Sequence, residues 1–119
     1  MQTRTKEERA LEVKQLVDIS SELMKTLGAG VPVQKLSNAQ EPYSQVNSLL
    51  IRLEKPEASL CGGYQEWLKN GRVVSKGQKG IKILVPLVLK KDKEDPNSET
   101  FLRFRAGTVF DISQTEELA

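Results

Sequence analysis

The sequence predicts an α+β domain in which N-terminal helices pack on a small, mostly antiparallel β-sheet. Three observations carry that reading. Apolar residues recur at helical spacing before residue 70, and β-branched or alternating runs follow it. Clusters of Gly, Asn and Pro separate the segments. The 119 residues make one domain. A domain of this size buries roughly two-thirds of its unfolded surface.

The first helix is expected over about residues 5–27. Thr5 and Glu8 fit a capping box. Val13, Leu16, Val17, Leu23, Met24 and Leu27 form an apolar stripe with Ser20 at the intervening position. Gly28, Gly30 and Pro32 stop it. Residues 28–41 read as a linker. Pro42 suits the first turn of a second helix, where its missing N–H costs nothing. Val46, Leu49, Leu50 and Leu53 supply that helix's stripe, and Pro56 ends it. A third, shorter helix is expected from Gly63 to Lys69, closed by Asn70-Gly71.

From Arg72 onward the pattern is that of strands. Val73-Val74 is short and β-prone, and Lys76-Gly77-Gln78-Lys79-Gly80 is a turn. Ile81 to Leu89 is too apolar for a solvent-facing strand, and Pro86 inside it requires an edge or a bulge. Asp92 to Glu99 is a charged loop. Phe101 to Arg105 alternates as a half-buried strand does, Thr108 to Ile112 is a last strand, and residues 113–119 form a polar tail. The sheet is thus expected from residues 72–112.

Composition excludes several kinds of chemistry. There is no histidine, which removes Ser-His-Asp and Cys-His catalysis and His-ligated zinc or haem. The single cysteine, Cys61, cannot form an intrachain disulfide and points to a reducing, cytoplasmic setting. Asp111, Glu116 and Glu117 are the nearest approach to a carboxylate metal site, but two of them sit in the expected tail. We therefore expect no catalytic residues, no metal and no cofactor. No apolar run approaches the roughly 18 residues of a membrane helix.

The net charge of +2 hides an uneven distribution. Residues 1–60 are neutral in sum. Residues 61–91 carry Lys69, Arg72, Lys76, Lys79, Lys82, Lys90 and Lys91 against Glu66 alone, and residues 106–119 carry only acidic charges. Such a block suits a polyanionic partner. Arg72 to Lys82 is its centre. Glycines let the backbone turn tightly and expose N–H groups, and lysines bring charge to the same place. The same residues also suit a plain hairpin turn with solvated lysines. Gly71 to Gly77 has the wrong order for a P-loop, and Gly77-Gln78-Lys79-Gly80 matches the KH loop only by spelling, since strands flank it. Aromatic rings that stack bases complete a single-strand site. Trp67 lies near the basic block, although a lone Trp also suits the core. Tyr43 and Tyr64 suit a wet surface.

These residues carry a family resemblance. Trp67, Gly71-Arg72, Val74, Lys76-Gly77, Lys79-Gly80-Ile81, Ile83 and Pro86 resemble the signature of the N-terminal domain of the plasmid antirestriction protein ArdC. So do Tyr43-Ser44, Asn47, Leu49-Leu50-Ile51 and Gly63-Tyr64 upstream, and Val109-Phe110-Asp111-Ile112-Ser113-Gln114-Thr115-Glu116 downstream. The resemblance covers roughly residues 43–116 and departs from the pattern at Thr108, where an aromatic is expected. It implies a single-stranded DNA-binding module found on plasmids, phages and other mobile elements. In the full-length architecture it also implies a following metallopeptidase-like domain, whose catalytic residues have no counterpart here.

The expected function is sequence-non-specific binding of single-stranded DNA. Lys69, Arg72, Lys76, Lys79, Lys82, Arg103 and Arg105 are the phosphate candidates. Tyr43, Ser44 and Asn47 share one helix face, and Tyr64 and Trp67 are the stacking candidates. Asp111 and Gln114 are expected to orient the sheet end instead of touching DNA. The alternative is a protein-binding regulator that docks an acidic partner through the basic block.

Overall fold

A computed structural model describes residues 5–27, 32–37 and 41–118. The expected α+β architecture is present. Helix α1 (Lys6–Leu27) is followed by β1 (Gln34–Lys35), α2 (Gln45–Glu54), β2 (Leu60–Gly62) and α3 (Tyr64–Lys69). Then come β3 (Arg72–Val74), β4 (Ile81–Lys90), β5 (Thr100–Asp111), a 3-10 turn (Ile112–Gln114) and β6 (Thr115–Glu117).

Helix α1 starts as its capping box requires. Thr5 Oγ1 accepts from the Glu8 amide at 3.1 Å, and Glu8 Oε1 accepts from the Thr5 amide at 3.4 Å. Ser20 is buried on the stripe, where its hydroxyl donates to the Val17 carbonyl at 2.9 Å. Val17 itself stands off the stripe and is exposed. The glycine stop signals at 28 and 30 lie outside the described residues. Helix α2 begins at Gln45, three residues later than Pro42 suggests. Ser44 is its N-cap and accepts from the Asn47 amide at 3.2 Å. Pro42 instead forms an isolated bridge with Gln34. A side-chain acceptor stabilises a helix start, and a proline ring supplies none.

The main sheet has the order β1-β2-β5-β4, with β1 and β2 parallel and the other pairs antiparallel. The expected sheet of residues 72–112 is corrected in three ways. The linker supplies β1, and β2 also comes from before Arg72. The two expected late strands are one continuous strand, β5, paired with β4 from Ile81↔Val109 to Lys90↔Thr100. Gly107 looks like a break in sequence but pairs with Ile83 in the ladder, where a Cβ would approach Val85 Cγ2 to 2.7 Å. The polar tail is not a tail. Residues 112–114 form the 3-10 turn, and β6 pairs antiparallel with β3. Gln114 and Thr115 are buried, and the Leu118 amide donates to the Gly71 carbonyl at 3.0 Å.

Strand β4 is an edge, as Pro86 requires. Leu84 presents its backbone outward to Asn47. Pro86, two residues on, presents its backbone the same way, so its missing N–H costs β5 nothing. The core gathers Val33, Tyr43, Ile51, Ala58 and Cys61 with the sheet residues Ile81, Ile83 and Val109. Helix α1 packs against α2, β4 and β5.

Candidate nucleic-acid interface

The basic turn is a built structure. The Gln78 amide donates to the Ser75 carbonyl at 3.2 Å, and Gly77 takes φ of 85° at the third position. A β-turn with positive φ there is type II, which favours glycine. Lys76 precedes that glycine at the exposed corner, and Lys79 is exposed two residues after it. Neither lysine has an ion pair among the described residues. Gly80 then closes onto the sheet, where a Cβ would collide with Thr108 Cγ2 and lie 3.3 Å from Phe110 Cζ.

Phe110 joins the turn to an aromatic ring at the surface. The Tyr64 and Phe110 rings meet edge to face, with centroids 6.5 Å apart. Tyr64 is 46% exposed, so a ring stands in solvent beside the turn. Trp67 does not share that position. It is 1% exposed, and its Nε1 donates to the Phe110 carbonyl at 3.0 Å. The indole belongs to the core and offers no face to a base, which corrects its place among the stacking candidates.

Asp111 and Gln114 hold the turn to the sheet end. Gln114 Nε2 donates to the Lys79 carbonyl at 2.8 Å and to Gln78 Oε1 at 3.3 Å, while its Oε1 accepts from the Asp111 amide at 2.9 Å. Asp111 Oδ1 accepts from the amides of Ser59 and Leu60, and Oδ2 from the amide and hydroxyl of Ser113. Burial works to raise the Asp111 pKa, but the hydrogen bonds from Ser113, Ser59 and Leu60 outweigh it and hold the carboxyl below its usual value. Burial, with Asp111 alongside, pushes the Cys61 thiol up to about 12, so it stays protonated and unreactive at neutral pH.

A groove of about 510 Å³ lies beside α2 and brings together Tyr43, Ser44, Asn47 and Arg105. Lys35 and Ser37 line it too, and no local signal in the sequence marks either. Tyr43 lies ahead of α2, Ser44 is its N-cap and only Asn47 is within it, which corrects the expected shared helix face, and all three already have structural partners. Asn47 Nδ2 donates to the Leu84 carbonyl and Oδ1 accepts from the Leu84 amide, both at 2.8 Å. Ser44 caps the helix. Tyr43 is buried, contrary to the expected wet surface. Its hydroxyl donates to the Cys61 carbonyl at 3.2 Å, and Lys35 Nζ sits 5.6 Å from the ring centroid. Burial raises the Tyr43 pKa well above the ordinary phenol.

The other basic candidates divide by partner. Arg72 is held inside the β3–β6 pair, with Nε donating to Thr115 Oγ1 at 2.8 Å and Nη2 to the Thr115 carbonyl at 3.1 Å. Lys82 donates to Thr108 Oγ1 at 2.9 Å and faces Glu12 at 3.8 Å. Lys69, Arg103 and Arg105 are exposed and have no ion pair among the described residues. Arg72 and Lys82 thus have partners within the fold, whereas Lys69, Lys76, Lys79, Arg103 and Arg105 are available to a ligand.

The fold is α+β, with exposed cations on one turn and one hairpin. The N-terminal domain of anti-restriction factor ArdC matches residues 13–110. The chain belongs to that family. The match takes in most of α1, which the sequence resemblance left aside. Two crystal structures of the antirestriction protein ArdC from plasmid R388 share the fold. The metal-free form has a TM-score of 0.64 and 16% identity, covering 90% of this chain and 42% of that one. The Mn(II)-bound form has a TM-score of 0.60 and 17% identity, covering 88% and 40%. This chain therefore spans less than half the length of the solved proteins it matches. No curated protein matches it. The manganese belongs to that relative. The described residues here hold no group of three His, Cys, Asp or Glu side chains able to bind a metal.

Proposed function

We propose that the chain is the single-stranded DNA-binding module of an antirestriction or mobile-element protein, and that it binds with little sequence preference. One observation supports this most directly. The Lys76–Gly80 turn carries two free lysines and is pinned by Gln114 and Phe110 beside the exposed Tyr64 ring. Lysines neutralise phosphates without reading sequence, and an aromatic face accepts any base. We assign no catalytic step to this chain.

Fluorescence anisotropy with labelled single-stranded and duplex oligonucleotides over a salt series tests the reading. With about four phosphates contacted, log affinity falls against log salt at a slope of about −3 for single strands. Tighter binding of the duplex overturns the single-strand preference. No binding of either at low salt overturns the reading and favours an acidic protein partner for the basic block.

A further inference from the structure

A second groove, of about 630 Å³, lies between α1 and the β4–β5 hairpin. Its lining cations are Lys6, Arg9, Arg103 and Arg105, and its apolar lining is Val13, Leu87, Leu89 and Phe104. Glu12 also lines it, with its carboxylate facing Lys82. Four successive residues, Arg103 to Ala106, border the groove. Lysine and arginine side chains are phosphate donors.

We infer that this groove is a second nucleic-acid subsite, taking further nucleotides of the same single strand. The inference rests on the proposed function and extends it to a surface outside the basic turn. Charge selects the occupant. Four cations around an apolar lining suit a chain with anionic phosphates on one side and flat apolar bases on the other. Phe104 is 43% exposed and offers a ring. Arg105 lines both this groove and the one holding Tyr43 and Asn47, so the two share one cation. A strand long enough to cross Arg105 engages both.

The test compares oligothymidylates of about 4 and about 12 nucleotides, which span ordinary single-strand site sizes. The full chain binds the longer strand more tightly. Combining Lys6→Ala with Arg103→Ala lowers affinity for the long strand about tenfold, as expected for two exposed contacts, and leaves the short strand unchanged. Phe104→Leu keeps the apolar volume, removes the ring and costs about fivefold on the long strand alone. Thermal melting of each variant checks the fold, and amide shifts at Arg103 to Ala106 on adding the long strand to the unaltered protein give a readout that needs no variant. Unchanged long-strand affinity in both variants, with no amide shifts there, overturns the subsite and leaves the proposed function standing. Failure of both strands to bind overturns the proposed function, and the subsite with it. An acidic, Phe-containing peptide that binds the groove and is not displaced by the long strand assigns it to a protein and overturns the proposal.

Discussion

Asn47 completes the open edge of β4 by holding both backbone groups of Leu84, its carbonyl and its amide, at 2.8 Å each. The side-chain amide does what the next strand would do. Pro86 follows two residues later with no N–H to offer. Together they interrupt the pairing groups of that edge at Leu84 and at Pro86.

Asn47→Ala therefore uncovers two backbone groups near the buried Leu84. We expect a loss of about 1–3 kcal/mol in chemical denaturation. Asn47→Asp keeps an acceptor for the Leu84 amide but sets a carboxylate against the carbonyl, so it does not restore stability. Asn47 lines the groove beside α2 but commits both polar atoms to Leu84, so folded protein of either variant binds oligonucleotide nearly as well as the parent. A large affinity loss without loss of stability gives Asn47 a direct role at DNA instead.

The α+β class, the helix positions and the edge character of β4 were legible because each rests on local pattern: the Thr5–Glu8 box, the α2 stripe, and Pro86 in an apolar run. The misses come from long-range pairing. Nothing near Gln34 announces a strand, since β1 exists only because β2 lies beside it. Glu116 and Glu117 read as tail, yet β3 recruits them into a ladder. The free lysines of the turn were legible from charge. That Arg72 and Lys82 are occupied was not, because Thr115 and Thr108 lie 43 and 26 residues away in sequence. Trp67 was ambiguous and Tyr43 was misplaced at the surface for the same reason, as burial depends on partners distant in sequence.

Gln114 gives a prediction that separates positioning from contact. Its carboxamide fixes the Lys79 carbonyl without presenting itself to solvent. Gln114→Glu sets a carboxylate against that carbonyl and leaves the acceptor for the Asp111 amide intact. We expect about 1–2 kcal/mol of destabilisation and weaker DNA binding with an unchanged salt slope, because no phosphate contact has gone. A smaller slope makes the turn's lysines, and not its backbone, the element that was disturbed.

Lys76→Ala and Lys79→Ala each remove one phosphate contact. The single-strand salt slope becomes less negative by about 0.7 per variant. The affinity loss is the same for thymine-rich and mixed sequences. A base-dependent loss shows that the lysines read bases and sinks the non-specific account.

The lone tryptophan makes the stacking assignment testable without mutating it. Trp67 is buried against the Phe110 carbonyl, so its emission is blue-shifted and stays unquenched at saturating oligonucleotide. Tyr64→Ala weakens binding by about 1–3 kcal/mol, the usual worth of one stacked base. Strong quenching of Trp67 with no effect of Tyr64→Ala reverses the two roles.

Asp111 sets the acid limit of the fold. Its carboxyl is held below the usual value by its hydrogen bonds, so the unfolded chain binds that proton more readily than the folded one. The stabilisation is fully present above the unfolded value of about 3.9 and is lost as pH falls through the lower folded value. Denaturation midpoints should therefore change little between about pH 7 and 5 on this residue's account and drop below about pH 4. Asp111→Asn sets an NH2 group against amides and a hydroxyl that need an acceptor. It lowers stability at pH 7 by about 2 kcal/mol and flattens the acid limb. An acid limb as steep in the variant as in the parent means that other carboxylates set the limit, and that Asp111 holds the sheet end without controlling its pH response.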